Sequence, residues 1–218
     1  MSPTVEAMGA VLPRKEPVQE RSRKRFERIL WEATKLIEAR GVDAVAMKEI
    51  AQASEISIAS LYQYFPDKAA IIATLADRFF REGQHCIQAL FGTVTTRAAL
   101  IEALHGMVDS YYDCFLEMPG AYGIWQATQS DRRLQRLDEE DCAEHVRTLE
   151  SAMLRVAPDL AAVRETELTP MAKLLVGVIA GAVRSAITLP EAEARALLEM
   201  CKHRMVTPAI AATLPADC

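Results

Sequence analysis

The apolar residues of this chain recur three and four positions apart, in runs closed by glycine or proline, and nowhere do apolar and polar residues alternate over the length of a strand. Segments patterned this way bury their apolar stripes by packing helix on helix, so an all-α fold is predicted. The first run shows the pattern. Phe26, Ile29, Leu30, Ala33, Leu36 and Ile37 share a face, and Gly41 follows Arg40 as a stop with a cation in the last turn. With only nine glycines in 218 residues, half the chain hydrophobic and a quarter charged, the composition excludes disordered and turn-rich classes.

Residues 1–20 hold three prolines and no periodicity, and are expected to form a flexible basic arm. Three helices are predicted over 21–40, 47–53 and 58–65. Ser54, Glu55 and Ile56 turn the chain between the last two, and Ser57 stands where an N-cap belongs. Pro66 and Asp67 end the third helix and cap a fourth over 68–91, roughly 36 Å long at 1.5 Å per residue. Thr96 caps a fifth whose stripe is Ile101, Leu104, Val108, Tyr111, Tyr112 and Phe115. A short helix carries Trp125, a long polar one runs from Asp131 to about Val156, Thr169 and Pro170 start another to Thr188, and Pro190 starts the last.

The longest unbroken apolar run, Leu174 to Val183, is half of the roughly twenty residues a membrane span needs, so no transmembrane helix and no membrane partner are expected. Nothing in Met1 to Glu20 has the form of a secretory leader. The five cysteines are far apart and never in a Cys-x-x-Cys pair, which points to reduced thiols in a cytoplasm rather than a disulfide framework.

The net charge of −5 hides an asymmetry. Residues 1–91 hold 13 Lys and Arg against 12 Asp and Glu, and seven of those bases fall within Arg14 to Arg28 against three acids. A local excess of cations in an acidic chain is a footprint for phosphate, although a solvated helix start reads the same way. The two short helices over 47–65 have the lengths and the turn of a helix-turn-helix. On a wheel of 100° per residue from Ser57, Leu61 and Phe65 lie near 40° and 80°, and the opposite arc carries Ala59, Ser60 and Gln63, with Tyr62 and Tyr64 flanking. A small side chain, a hydroxyl and an amide allow close approach to base edges, and tyrosine hydroxyls suit phosphate oxygens.

The run Ile50-Ala51-Gln52-Ala53-Ser54-Glu55-Ile56-Ser57-Ile58-Ala59-Ser60-Leu61-Tyr62-Gln63-Tyr64-Phe65-Pro66-Asp67-Lys68 resembles the TetR family pattern I-A-x-x-A-G-V-S-x-G-T-L-Y-x-Y-F-x-x-K. The likeness extends over Arg21 to Phe91. It implies a homodimeric transcriptional regulator of double-stranded DNA operators, with residues 21–66 as the DNA-binding domain and 67–218 as a helical effector-binding and dimerisation domain. By matching position it implies DNA contacts from Lys48, Ile58, Ala59, Ser60, Tyr62, Gln63 and Tyr64, and a phosphate contact from Lys68. A cation in the first turn of a helix opposes the macrodipole, and no local reason for Lys68 is visible in the sequence. Met47 stands in place of the family's threonine at the start of the second helix, and Ala46 offers no hydroxyl instead. Glu55 replaces the turn glycine, so a positive φ there would be strained. Ile58, near 100° on the wheel, is open to core packing or to a thymine methyl.

The resemblance also implies a small-molecule effector, and Tyr111, Tyr112, Phe115, Met118, Tyr122 and Trp125 are aromatic or apolar residues suited to the wall of such a pocket, with His105 either a ligand contact or a packed core histidine. The expected effector is accordingly apolar or aromatic, and the expected role that of a repressor which the effector releases. The family pairs its last two helices with those of a partner. Leu174, Gly177, Val178 and Gly181, with Leu197 and Leu198, are the candidate dimer contacts. No nucleophile motif, Walker lysine or dinucleotide fingerprint is present, so an enzyme is not expected. Asp138, Glu139, Glu140 and Asp141 read as a solvated face. The pairs Cys142 with His145, Cys201 with His203 and His105 with Asp109 supply no third ligand locally, so neither a metal nor another cofactor is expected. The rival reading is a helical protein whose basic face meets anionic surfaces without operator specificity.

Overall fold

The computed structural model describes residues 19–214, all of whose regular structure is helical. The arm expected over residues 1–20 lies outside the described residues save Gln19 and Glu20, and Glu20 opens the first helix. Ten α-helices follow one another: α1 Glu20–Arg40, α2 Met47–Ala53, α3 Ile58–Tyr64, α4 Lys68–Phe91, α5 Arg97–Glu117, α6 Ala121–Ser130, α7 Arg132–Val156, α8 Thr169–Ala186, α9 Glu191–Met200 and α10 Thr207–Thr213. The chain divides into two compact units, one of residues 19–80 with 118–139 and the other of 81–117 with 140–214. The boundary drawn from the sequence at residue 67 therefore falls inside the first unit, which takes the start of α4 and recruits α6 from far along the chain.

The first unit is built on the stripe of α1. Phe26, Ile29, Leu30, Ala33 and Ile37 are buried with Ile50 and Ala51 of α2 and with Leu61 and Phe65 at and after α3. Phe26 stacks on Phe65 with ring centroids 5.0 Å apart. α6 comes close to α1 where Gly120 precedes it with φ +70°. A Cβ on Gly120 would lie 3.4 Å from the Thr34 carbonyl oxygen and 3.5 Å from the Glu38 nitrogen, so glycine serves both the turn and the approach. Across the α1 surface Arg78 donates two 2.7 Å hydrogen bonds to the Glu27 carboxylate and holds that carboxyl below its usual range.

The second unit packs α5 against α8 and α8 against α9, around Leu100, Leu104, Met107 and Val108 of α5, Leu175, Ile179 and Val183 of α8, and Leu198 of α9. Lys202 is buried here and reaches Asp109 at 2.6 Å and Glu199 at 2.8 Å. Two expectations are corrected. The helix predicted to start afresh at Thr169 continues a 3-10 turn over Pro158–Val163 and a π turn over Arg164–Leu168. Thr169 is helical rather than a cap, and its hydroxyl donates to Glu150. The stretch Pro158–Ala186 is thus 29 residues, long and apolar enough to cross a membrane by length and composition alone. Seven residues of α8, from Ala172 to Ala186, are buried in the unit's own core.

The second correction concerns the acidic run on α7. Glu139 and Glu140 are exposed, but Asp141 is buried and accepts a 2.8 Å hydrogen bond from Gln84. Buried beside it is His145, with Nδ1 3.7 Å from the Asp141 carboxylate. Burial pushes the His145 pKa below its ordinary value, because the imidazolium form loses its hydration there.

Candidate nucleic-acid interface

The local chemistry of α3 sets its exposed face. The Ser57 side chain accepts from the Ser60 backbone N–H at 3.1 Å and so caps the helix, while Leu61 anchors it with no exposure. Asp67 caps α4 through the Ala70 N–H at 2.9 Å, which fixes where α3 must stop. Between these two caps Ala59, Tyr62 and Gln63 are exposed and Ser60 is half-buried. Ile58, left open between core and surface, is 39% exposed although its angle near 100° lies beside that of Phe65. Lys48 is exposed on α2.

Tyr64 does not join them. It is buried, its ring tilted against Phe26 at 6.3 Å, and its hydroxyl lies 3.0 Å from that of Ser22. Its place as a flanking DNA-contact residue is corrected accordingly. The wheel alone does not separate it from Ile58, since Tyr64 near −20° and Ile58 near 100° each lie about 60° from Leu61; packing against Phe26 and Ser22 buries the first.

Lys68 also differs from its expected setting. Its ammonium donates to the carbonyl oxygens of Val42 at 2.6 Å and Val45 at 3.0 Å, in the segment that links α1 to α2. The cation at the start of α4 therefore has a local rationale: two charge-assisted hydrogen bonds outweigh an unfavourable dipole term of less than about 1 kcal/mol. A partner 26 residues away cannot be found by reading spacing along a helix.

The two departures from the family pattern, at Met47 and Glu55, are both answered by charged side chains. At the start of α2, where Ala46 has no capping oxygen, the Glu49 carboxylate reaches back to the Ala46 N–H at 2.8 Å. Arg40 donates to the same carboxylate at 2.8 Å, and these bonds hold the Glu49 carboxyl below its usual range. At the turn before α3, Glu55 keeps the left-handed conformation of the glycine it replaces, with φ +55°, the one non-glycine residue with positive φ among those described. That conformation costs a side-chain-bearing residue on the order of 1 to 3 kcal/mol. Its carboxylate is paired with the Arg28 guanidinium at 2.8 Å, a contact that sequence reasoning missed.

The remaining expected sites are divided between the two units. Tyr122 and Trp125 lie in the first unit and stack with centroids 5.9 Å apart. His105, Tyr111, Tyr112 and Phe115 lie in the second. There Tyr112 and Phe115 are buried, and Tyr111 is half-buried with its ring 5.1 Å from Phe115. His105 bonds through Nε2 with the Thr207 hydroxyl at 2.9 Å, and its ring meets that of His203 edge-on at 5.0 Å. Of the candidate dimer residues, Leu174 is 60% exposed, and a Cβ added to Gly177 or Gly181 would meet nothing within 4 Å. Val178 and Leu197 are half-buried. Leu198 is corrected: it is buried in the core of its own unit, whereas Met200 and Met205 are exposed.

Three helices with a capped turn and a small polar face on the third define a helix-turn-helix protein. Residues 29–75 match the model of bacterial regulatory proteins of the tetR family, and residues 98–210 match the tetracyclin repressor-like C-terminal domain. The chain belongs to the TetR family, a family of transcriptional regulators. Among curated proteins it is similar to the HTH-type transcriptional repressor KstR of Mycolicibacterium smegmatis, with 32% identity over 71 residues. That match spans 33% of this chain and 35% of the repressor, about a third of the relative's length. A crystal structure of a TetR-family chain from Syntrophomonas wolfei shares the fold at TM-score 0.66 and 14% identity, over 87% of this chain and 97% of that one. The fatty acid degradation regulator FadR from Bacillus halodurans does so at 0.59 and 15%, over 82% and 98%.

Proposed function

We propose that this protein is a homodimeric repressor that binds an inverted-repeat operator in double-stranded DNA and leaves it when a small molecule binds its helical C-terminal region. The observation that carries the reading is the outward face of α3. Ala59, Ser60, Tyr62 and Gln63 stand over the buried anchors Leu61 and Phe65, so the side chains free to meet a groove are those able to read it. Lys48 on α2 and the bases of α1 supply charge for the flanking phosphates.

The repressor sense is supported by the relative of which this chain matches about a third, itself a transcriptional repressor. An apolar or aromatic effector is supported by the Tyr111, Tyr112 and Phe115 cluster on α5, where buried rings are accompanied by hydroxyl handles. A homodimer is supported by the exposed α8 face of Leu174, Gly177 and Gly181, which leaves small residues and a large apolar one on an open surface.

The test is a fluorescence-anisotropy titration with duplexes from the DNA flanking the coding region, repeated across a panel of small apolar and aromatic molecules. Tight binding to one duplex, weakened by one class of molecule, supports the reading. Equal, weak binding to every duplex would favour a protein that uses its basic face on anionic surfaces without operator specificity.

A further inference from the structure

The pairing of Arg28 with Glu55 does something the family pattern does not require. Glycine fits a left-handed turn without cost, yet this chain places there a residue that is strained in that conformation and carries a negative charge. The turn leads directly into α3, and in a helix-turn-helix the N-terminal residues of the second helix are those that enter the groove, so the turn stands beside the phosphates. A lone carboxylate there would repel them. The 2.8 Å ion pair removes that charge, and it does so by occupying a guanidinium of the basic run from Arg14 to Arg28.

Both partners are accessible, Arg28 at 45% and Glu55 at 74% side-chain exposure. Exposed ion pairs contribute little to stability, so the effect of this one is on which anion Arg28 meets rather than on the fold. Arg28 also shares a face of α1 with Lys24 and Arg21, one and two turns towards the N-terminus. The cation that Glu55 occupies is thus the last of an exposed row, in which Lys24 is paired in turn with Glu20 at 2.9 Å.

We propose that Glu55 is an internal competitor for the DNA backbone: its carboxylate holds Arg28 in the place of a phosphate oxygen and so limits sequence-independent binding, leaving discrimination to the α3 face. The proposal rests on the DNA-binding reading above. Glu55 makes no base contact in this account; it sets how much of the affinity comes from charge.

The test measures binding to a 30-base-pair duplex of random sequence over a range of salt, with the full chain and the variants E55Q, R28Q and the double variant R28Q/E55Q. E55Q keeps the size and the turn while removing the charge, and thermal melting of each variant establishes that it is folded. Each phosphate neutralised steepens the slope of log affinity against log salt by about 0.9 on duplex DNA. E55Q is expected to steepen the slope by about one phosphate per subunit and to raise affinity at low salt severalfold. R28Q alone is expected to leave the slope unchanged while weakening binding, because Glu55 is then uncompensated. The double variant is expected to return to the wild-type slope. An unchanged slope in folded E55Q would overturn the proposal, as would a slope lowered by R28Q in the wild-type background, which would place Arg28 on phosphate already. A wild-type protein with no salt-dependent binding to any duplex would overturn the DNA reading itself, and the proposal with it.

Discussion

Replacing Lys68 by methionine keeps the aliphatic stem and removes the ammonium, and with it the hydrogen bonds to Val42 and Val45 at 2.6 and 3.0 Å. Hydrogen bonds from a charged donor contribute about 1.5 to 3 kcal/mol each when shielded. Lys68 is only half-buried, so water recovers part of that, and a loss of about 2 kcal/mol for the pair is expected. Both tryptophans, Trp31 and Trp125, lie in the first unit, so their emission during urea unfolding reports that unit alone. With a denaturant slope near 1 kcal/mol per molar for a unit this small, the midpoint should fall by about 2 M. The salt slope of DNA binding should stay as it was. A midpoint that moves by less than about 0.5 M, with a slope lowered by about one phosphate per subunit, would refute the reasoning and return Lys68 to the DNA backbone.

Gln63→Ala should cost on the order of 1 to 3 kcal/mol on the preferred duplex and much less on random DNA, read by parallel titrations; equal losses would remove Gln63 from base reading. Leu174→Glu with Gly177→Glu should give a folded monomer by sedimentation, because both positions are open in the protomer. Leu198→Glu should instead unfold the second unit, since it puts a carboxylate into that core. The depressed pKa of His145 means that the unfolded chain takes up a proton more readily than the folded one. The stability it contributes is fully present above the ordinary value of 6.5 and is lost as pH falls through the folded value. His145→Gln should flatten the fall of the urea midpoint between pH 7 and lower pH, followed by far-ultraviolet circular dichroism; an unaltered pH dependence would show that another group carries it.

Much of this fold was legible in the sequence, because helix periodicity, Ser57, Asp67 and Thr96 are local signals and each does what its position announces. The bounds of α2 and α4 follow from them. The start of α8 did not, since Thr169 and Pro170 have the form of a cap and a first turn, while the π turn over Arg164–Leu168 joins the helix to what precedes it. The outward side chains of α3 could be read from one wheel, but Ile58 and Tyr64 flank Leu61 at equal angles and packing decides between them. Arg28 with Glu55, Lys68 with Val42, and Asp141 with Gln84 could not, because each pair joins residues far apart in the chain whose meeting depends on packing. Polar side chains that look idle in a sequence are, in these three cases, committed across the fold.

Selection of bound sequences from a pool of random duplexes, followed by footprinting of the enriched site, tests the central claim most directly. A dimer that reads DNA through two copies of α3 should enrich an inverted repeat whose half-sites are centred about one helical turn apart, roughly 34 to 36 Å, and should protect both halves together. An enriched pool with no two-fold symmetry, or no enrichment at all, would contradict it.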